Sequence, residues 1–186
     1  IYANSTENCT IQSLNFDVGG GGDFDCTDLG DNIVNTYIVD QSGNESEVVA
    51  VTVTVVDNIA PTVVTQDITV QLDANGSASI TTADIDNGST DNCTLTLSLD
   101  DTDFDCTDLG DNTVTLTGTD QSGNTTAVTA TVTVEDSIVP TVLAQDITVQ
   151  LDANGLASIT TTDIDNGSSD NCTLTLSLDI TDVDCD

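Results

Sequence analysis

Residues 110–135 read GDNTVTLTGTDQSGNTTAVTATVTVE, and they carry the clearest structural pattern in the chain. Apolar and polar residues alternate on both sides of the central DQSGN segment, first at Val114 and Leu116 and then from Val128 to Val134. A period of two is typical of β-strands that turn one face to a core. Asp120–Asn124 contains the glycine that a tight hairpin turn requires. The stretch therefore predicts a β-hairpin.

The same pattern extends towards the N-terminus. Alternating apolar residues predict one strand from Ile68 to Leu72 and another from Leu95 to Leu99, and the DANG sequence at 73–76 predicts a turn after the first. No segment has the periodicity of an amphipathic helix. Short strands separated by turns, within about 80 residues, are typical of a β-sandwich, so we expect an all-β fold of this kind.

The chain contains internal repeats. Residues 57–107 and 136–186 are nearly identical, with an offset of about 79 residues. DFDCTDLGDN occurs at 23–32 and again at 103–112, and DQSGN occurs at 40–44 and again at 120–124. We therefore expect the C-terminal part of a first repeat at 1–56, a complete repeat at 57–135 and the N-terminal part of a third at 136–186. The simplest account is a window from a longer, extended array.

The charge of the chain excludes several classes of partner. It has 33 acidic residues and no Lys, Arg or His. Nucleic acid and anionic membrane surfaces are disfavoured, because both are bound through cationic side chains. No run of residues approaches the roughly 20 apolar residues of a membrane span. The 37% of hydrophobic residues alternate in strand patterns, which distinguishes the chain from a disordered acidic segment. The negative charge of the chain must therefore be neutralised by cations from solution.

The six cysteines fall into one pair per repeat, at Cys9 and Cys26, Cys93 and Cys106, and Cys172 and Cys185. Regular spacing in small β-repeats predicts intra-repeat disulfides in an oxidising compartment. A loop of about 13 residues closed in this way would contribute ~3 kcal/mol. The alternative is a zinc or iron–sulfur site, which normally uses CxxC pairs or histidines.

Acidic residues cluster in turn-rich segments and at the repeat boundaries. Calcium takes six to eight oxygen ligands from carboxylates, amides and carbonyls, and the absence of His disfavours softer metals. We therefore predict Ca²⁺ as a cofactor, with metal ligands among Asp57, Asp84, Asp86, Asp91, Asp120, Glu135, Asp136, Asp163, Asp165 and Asp170. The alternative is that these side chains cap turns and remain solvated.

An immunoglobulin-like topology gives a geometric reason for a site at the repeat junction. In such a sandwich the first strand begins at the end that carries two of the loops, so Asp57, the Asp84–Asp91 loop and Asp120 should lie close together. The Asp73–Asn75 turn of the preceding repeat should approach the same end of the next one. A cation there would both neutralise repulsion and stiffen the array.

We do not expect an enzyme. Without His, Lys or a reduced Cys, no conventional pair of base and nucleophile can form. Paired carboxylates can cleave glycosides. The candidates here recur in every repeat on turns, and the chain has only two Tyr and three Phe to hold a sugar.

The segments GDNTVTLTGTDQSGN and VTVEDSIVPT resemble hyalin-type (HYR) immunoglobulin-like repeats. The matching positions are Gly110, Val114, Leu116, Asp120, Gly123, Asn124, Val132, Val134, Asp136 and Pro140. The wider pattern is similar to repeats of large secreted Bacteroidetes surface adhesins of the gliding-motility type. The resemblance implies an extracellular or cell-surface location and an adhesive or fibre-forming role.

The leading functional hypothesis is a rigid stalk or filament, because a spacer needs many equivalent units. Its partners would be neighbouring repeats of the same chain and other copies in a filament. Two alternatives stay open: a module that binds surface glycans or proteins, and accessory repeats of a larger secreted enzyme. A binding module should expose an aromatic or apolar patch, and Phe104 is already replaced by Val183 in the next repeat.

Overall fold

In a computed structural model of the chain, residues 23–183 are described in full and Ile11–Asp17 as a backbone strand. The structure is mostly β. In chain order the strands are β1 (Ile11–Asp17), β2 (Gly30–Asp40), β3 (Val49–Val55), β4 (Ile68–Gln71), β5 (Ser77–Ser79), β6 (Leu95–Leu99), β7 (Asp103–Asp105), β8 (Gly110–Asp120), β9 (Thr125–Glu135), β10 (Ala157–Ser158) and β11 (Asp182–Val183).

Two single-turn helices, α1 (Thr82–Ile85) and α2 (Thr161–Ile164), and a 3-10 turn at Cys26–Asp28 interrupt the strands. Sequence periodicity predicted no helix, because four residues are too few to show a period of 3.6. Asp84 accepts hydrogen bonds from the backbone N and the Oγ1 of Thr81, both at 2.7 Å. These bonds fix the residue that precedes α1 and so define where the helix begins, and α1 places Ile85 fully in the core.

The second repeat contains a four-stranded sheet in the order β4-β9-β8-β6 and a two-stranded sheet of β5 and β7. β4 runs parallel to β9, with Ile68 opposite Val132, and β5 runs antiparallel to β7, with Ala78 opposite Phe104. The predicted hairpin is confirmed. At its turn Asp120 N donates to Asn124 O at 3.1 Å, and Gly123 adopts φ +89°, which favours glycine.

Side chains from both sheets meet in one core. Val114 and Leu116 of β8 and Val132 and Val134 of β9 are at most 2% exposed, because alternate residues of each strand face inwards. Each such burial is worth about 1.5–3 kcal/mol. The buried cluster comprises Val63, Leu72, Ile80, Ile85, Phe104, Val114, Leu116, Ala130, Val132 and Val134.

Local pairings of the second repeat recur in the other two. In the first, β1, β2 and β3 form an antiparallel sheet. In the third, β10 pairs with β11 through Ala157 and Val183, which occupy the sequence positions of Ala78 and Phe104. Val142 of the third repeat is 69% exposed, whereas Val63, at the same sequence position of the second repeat, is 8% exposed.

The contacts divide the chain into two compact units that interleave the repeats. One unit takes in the described residues up to Thr62, with Thr90–Thr96 and Thr119–Thr126. The other comprises Val63–Ser89, Leu97–Gly118 and the described residues from Ala127 onwards. Two loops of the second repeat therefore cluster with the first repeat. The sequence boundaries at 56/57 and 135/136 stay predictions.

Candidate metal centre

Three carboxylates converge in the first unit. Carboxylate oxygens of Asp57, Asp91 and Asp120 all lie within 4.8 Å of one another. Asp57 follows β3, Asp91 lies in the loop before β6, and Asp120 is the last residue of β8. The predicted approach of these three segments is confirmed. Among the described residues, this is the only group of three acidic or other metal-ligating side chains so close together.

Asp120 is held most firmly, and it is only 6% exposed. Its Oδ1 accepts from Asn124 N at 2.8 Å and its Oδ2 accepts from Asn124 Nδ2 at 2.7 Å. The same Nδ2 lies 3.1 Å from Asp57 O, so Asn124 links two sides of the centre. Burial acts to raise the pKa of Asp120, but the hydrogen bonds from Asn124, Ser122 and Gly123 together outweigh it and hold the pKa below its ordinary value. The carboxylate is therefore charged at neutral pH.

Asp57 and Asp91 are partly buried and are oriented by the 91–93 segment. Asp57 Oδ2 accepts from Asn92 Nδ2 at 3.0 Å, and its Oδ1 accepts from Ile59 N at 3.0 Å. Asp91 Oδ2 accepts from Cys93 N at 2.9 Å. Asp91 Oδ1 is buried and has no hydrogen-bond partner. A buried charged oxygen without a partner is costly, and it is rare in folded proteins.

The sequence offers no positive side chain to balance this centre, because it contains no Lys, Arg or His. Three carboxylates at this separation repel one another, and the repulsion is strengthened by partial burial. A cation bound from solution would relieve it. The donors are all hard oxygens from carboxylates, with amide and backbone carbonyl oxygens nearby, which suits Ca²⁺ or Mg²⁺ better than a transition metal.

Part of this arrangement recurs in the second unit, at the start of the third repeat. Asn171 Nδ2 donates to Asp136 Oδ1 at 3.2 Å, as Asn92 does to Asp57. Asp170 Oδ1 is buried without a partner, as Asp91 Oδ1 is, and so is Asn171 Oδ1. Asn171 Nδ2 also lies 3.2 Å from Asp73 O, which confirms the predicted approach of the preceding turn. No third carboxylate joins Asp136 and Asp170 in the described part of the chain.

The remaining five predicted ligands lie outside the triad and accept hydrogen bonds, four of them from nearby residues in sequence and one from a neighbouring strand. Asp84 and Asp163 cap α1 and α2, and Asp86 and Asp165 accept from the backbone N of Ser89 and Ser168 at 2.9 Å. These bonds lower the pKa of all four carboxyl groups, with the side-chain hydroxyl as the largest cause and the backbone N–H as the second. Glu135 accepts from Gln71 Nε2 at 2.6 Å. The structure thus gives Asp84, Asp86, Asp163 and Asp165 the roles of turn-capping side chains, whereas Glu135 of β9 is bonded to the neighbouring strand β4.

The predicted pairing of cysteines is wrong. Cys26 is bonded to Cys93 and Cys106 to Cys172, so both disulfides join consecutive repeats. The intra-repeat prediction required the 93–106 segment to double back on itself. Instead β6 joins the sheet beside β8, and β7 pairs with β5 in a different sheet. Cys9 and Cys185 lie outside the described residues. The disulfides indicate an oxidising environment, and no zinc or iron–sulfur site uses these four cysteines.

The sequence places Gly76 and three asparagines in turn-rich segments, but it did not predict the contacts that they make. Gly76 has φ +74°, and a Cβ there would lie 2.6 Å from Asn171 O and 2.7 Å from Cys106 Sγ. Asn92, Asn124 and Asn171 position the carboxylates as described above. Their only signal in the sequence is that DNC and DQSGN recur intact.

In the described part of the chain, no helix is long and apolar enough to cross a membrane.

Comparisons with known proteins assign no family or function to this chain. No protein-family model matches the chain, and no curated protein is significantly similar to it in sequence.

Proposed function

We propose that this chain is a structural segment of an extracellular surface protein, in which immunoglobulin-like repeats are joined in series and stiffened by calcium. One observation carries the proposal: a disulfide between repeats and an uncompensated acidic centre occur in the same short segment. Cys93 is covalently bound to the first repeat, and Asp91, two residues earlier, contributes to the triad with Asp57 and Asp120.

A stalk requires that successive repeats keep a fixed relation to each other, and these two features serve that need. A disulfide between positions 67 residues apart ties the second repeat covalently to the first, which a local disulfide would not do. A cation bound by Asp57, at the boundary between repeats, and by two loops of the second repeat would hold that boundary further. The resemblance to hyalin-type repeats supports the same role on a cell surface, with other copies as partners in a filament.

Calcium binding is tested by thermal unfolding of the whole chain with saturating calcium and with chelator, at fixed ionic strength. Free calcium at about 1,000 times its dissociation constant should stabilise the folded state by about 4 kcal/mol. At about 2–4 °C per kcal/mol for a chain of this size, Tm should rise by about 10 °C. Magnesium should give a smaller rise, because it gives up its water ligands reluctantly.

A matched pair of variants locates the effect. Asp40 occupies the position of Asp120 in the first repeat and accepts the same two hydrogen bonds from Asn44, each at 2.8 Å. It belongs to no group of three carboxylates among the described residues. Asp120→Asn should abolish the calcium-dependent rise, and Asp40→Asn should preserve it. Superimposed melting curves of the wild type with calcium and with chelator would refute calcium binding.

A further inference from the structure

We propose that the Cys26–Cys93 disulfide and the cation centre are thermodynamically coupled, so that a bound cation protects this cross-link from reduction and the intact cross-link raises the affinity for the cation. The inference rests on the proposed function, because it concerns the regulation of the same centre. The junction would then be locked only where calcium is plentiful and the surroundings are oxidising.

The coupling follows from three consecutive residues that serve both features. Asp91 contributes its carboxylate to the triad, Asn92 holds Asp57 through its Nδ2, and Cys93 forms the disulfide. The backbone connects them further, because Cys93 N donates to Asp91 Oδ2 at 2.9 Å. Cys26 Sγ, on the other side of the disulfide, lies 3.4 Å from Asn92 O. A change in the position of Cys93 therefore moves two of the three carboxylates.

Reduction releases this segment. A dithiol reductant gives two electrons and two protons to the cystine, leaves Cys26 and Cys93 as thiols and becomes a cyclic disulfide itself. Asp91 then has a buried, unpartnered Oδ1 and two repelling neighbours, Asp57 and Asp120, with no covalent tether to oppose its departure. A bound cation converts that repulsion into attraction. The folded, oxidised arrangement is therefore the one that binds the cation best.

Linkage makes the effect reciprocal. If oxidation raises the affinity for the cation by some factor, saturation with the cation must shift the equilibrium of reduction by the same factor. Couplings of this kind typically amount to about 5- to 150-fold. We expect at least about a five-fold shift here, because the tether acts directly on the residues that bind the ion.

The second disulfide provides an internal control. Cys106 Sγ lies 3.4 Å from Asn171 O, and Asn171 Nδ2 donates to Asp136, so the local contacts match those at Cys26–Cys93. No group of three carboxylates within 4.8 Å of one another accompanies this disulfide among the described residues. Calcium also screens the negative charge of the whole chain, and that general effect acts on both disulfides alike. A difference between the two disulfides therefore reports the triad.

The experiment equilibrates the oxidised whole chain in a buffer of reduced and oxidised dithiothreitol, with calcium or with chelator at equal ionic strength. Free thiols are alkylated and each cysteine is quantified by mass spectrometry. The digestion uses a protease that cleaves at aspartate, since trypsin has no site in a chain without Lys or Arg. Calcium binding is followed in parallel by titration calorimetry.

We expect calcium to lower the equilibrium constant for reduction of Cys26–Cys93 at least about five-fold, and that of Cys106–Cys172 much less. Asp120→Asn should remove the difference, and Asp40→Asn should keep it. Calcium affinity should fall by the same factor in the double variant Cys26→Ser/Cys93→Ser, although the protection measurement on the wild type stands without that variant. Binding without selective protection would overturn the coupling and leave the calcium site intact. Absence of binding would overturn both proposals.

Discussion

The substitution Asp91→Asn should change the thermal stability of the chain in opposite directions with and without calcium. Asp91 Oδ1 is buried and unpartnered, and carboxylate oxygens of Asp57 and Asp120 lie within 4.8 Å. In the absence of a cation, Asp91→Asn removes one charge from a mutually repelling set. The amide is close in size to the carboxylate: its oxygen can still accept from Cys93 N, and its NH2 group then takes the place of Asp91 Oδ1. The variant should then be more stable than the wild type. With calcium it should be less stable, because a ligand with full charge is lost.

The magnitude can be worked out from the Asp57–Asp91 pair. Two unit charges within 4.8 Å repel by about 1 kcal/mol in a water-like dielectric and by about 3 kcal/mol at an effective dielectric of about 20. Both groups are partly exposed, so the lower end applies, and we expect a rise in Tm of about 2–4 °C in chelator. In saturating calcium the wild type gains about 4 kcal/mol and the variant gains little, so their order reverses.

The assay is thermal unfolding of both proteins in chelator and in calcium, with Asp170→Asn as the control. Asp170 has the same unpartnered Oδ1 but no third carboxylate in the described chain, so it should show a smaller reversal. A variant that is destabilised equally in both conditions would refute the reasoning. It would show that Asp91 acts through its hydrogen bond to Cys93 N and not through its charge.

Three further results are expected. Hydrogen bonds lower the pKa of aspartates that cap turns, such as Asp84. Their contribution to the free energy of unfolding is therefore complete above the ordinary pKa of about 3.9, and it is lost as pH falls through the folded-state pKa. The urea midpoint of the calcium-free chain should fall below pH ~4, and the fall should be smaller in Asp84→Asn. Each disulfide closes a loop of about 66 residues, so the double variant Cys106→Ser/Cys172→Ser should lose about 4 kcal/mol of unfolding free energy, compared with ~3 kcal/mol for a local loop. An unchanged urea midpoint would contradict the pairing. Gly76→Ala should lower the melting temperature more than Gly123→Ala does. Both glycines have positive φ, but only at Gly76 would the added methyl lie 2.7 Å from Cys106 Sγ. Equal melting temperatures of the two variants would contradict this close approach.

The turns and strands could be read from the sequence because their causes are local. Alternation of apolar residues in β8 and β9 follows from the two-residue period of a strand, and glycine at 123 follows from the positive φ of a tight turn. α1 was missed because one helical turn has no period, and its signal is only the Thr81–Asp84 cap.

The candidate site was predicted in part. Asp57, Asp91 and Asp120 could be placed together because a sandwich brings its loop-bearing end and its first strand into proximity. The sequence could not separate them from Asp84 and Asp86, since all of these aspartates lie in turn-rich segments with Asn, Gly, Ser or Thr close by. The separation depends on which way each side chain points, which is set by packing at a distance.

The all-β class, the positions of the turns, the repeat of about 79 residues and the lack of any internal counter-charge could all be read from the amino-acid sequence. Tertiary structure alone decided which cysteines pair and which carboxylates meet. In a periodic sequence, pairing Cys93 with Cys106 or with Cys26 of the preceding repeat leaves the spacing pattern unchanged, so spacing cannot choose between them. A disulfide needs Cα atoms about 4.4–6.8 Å apart. Because β6 and β7 enter different sheets, Cys93 and Cys106 are carried to different places in the fold. Each of them meets a cysteine of a neighbouring repeat there.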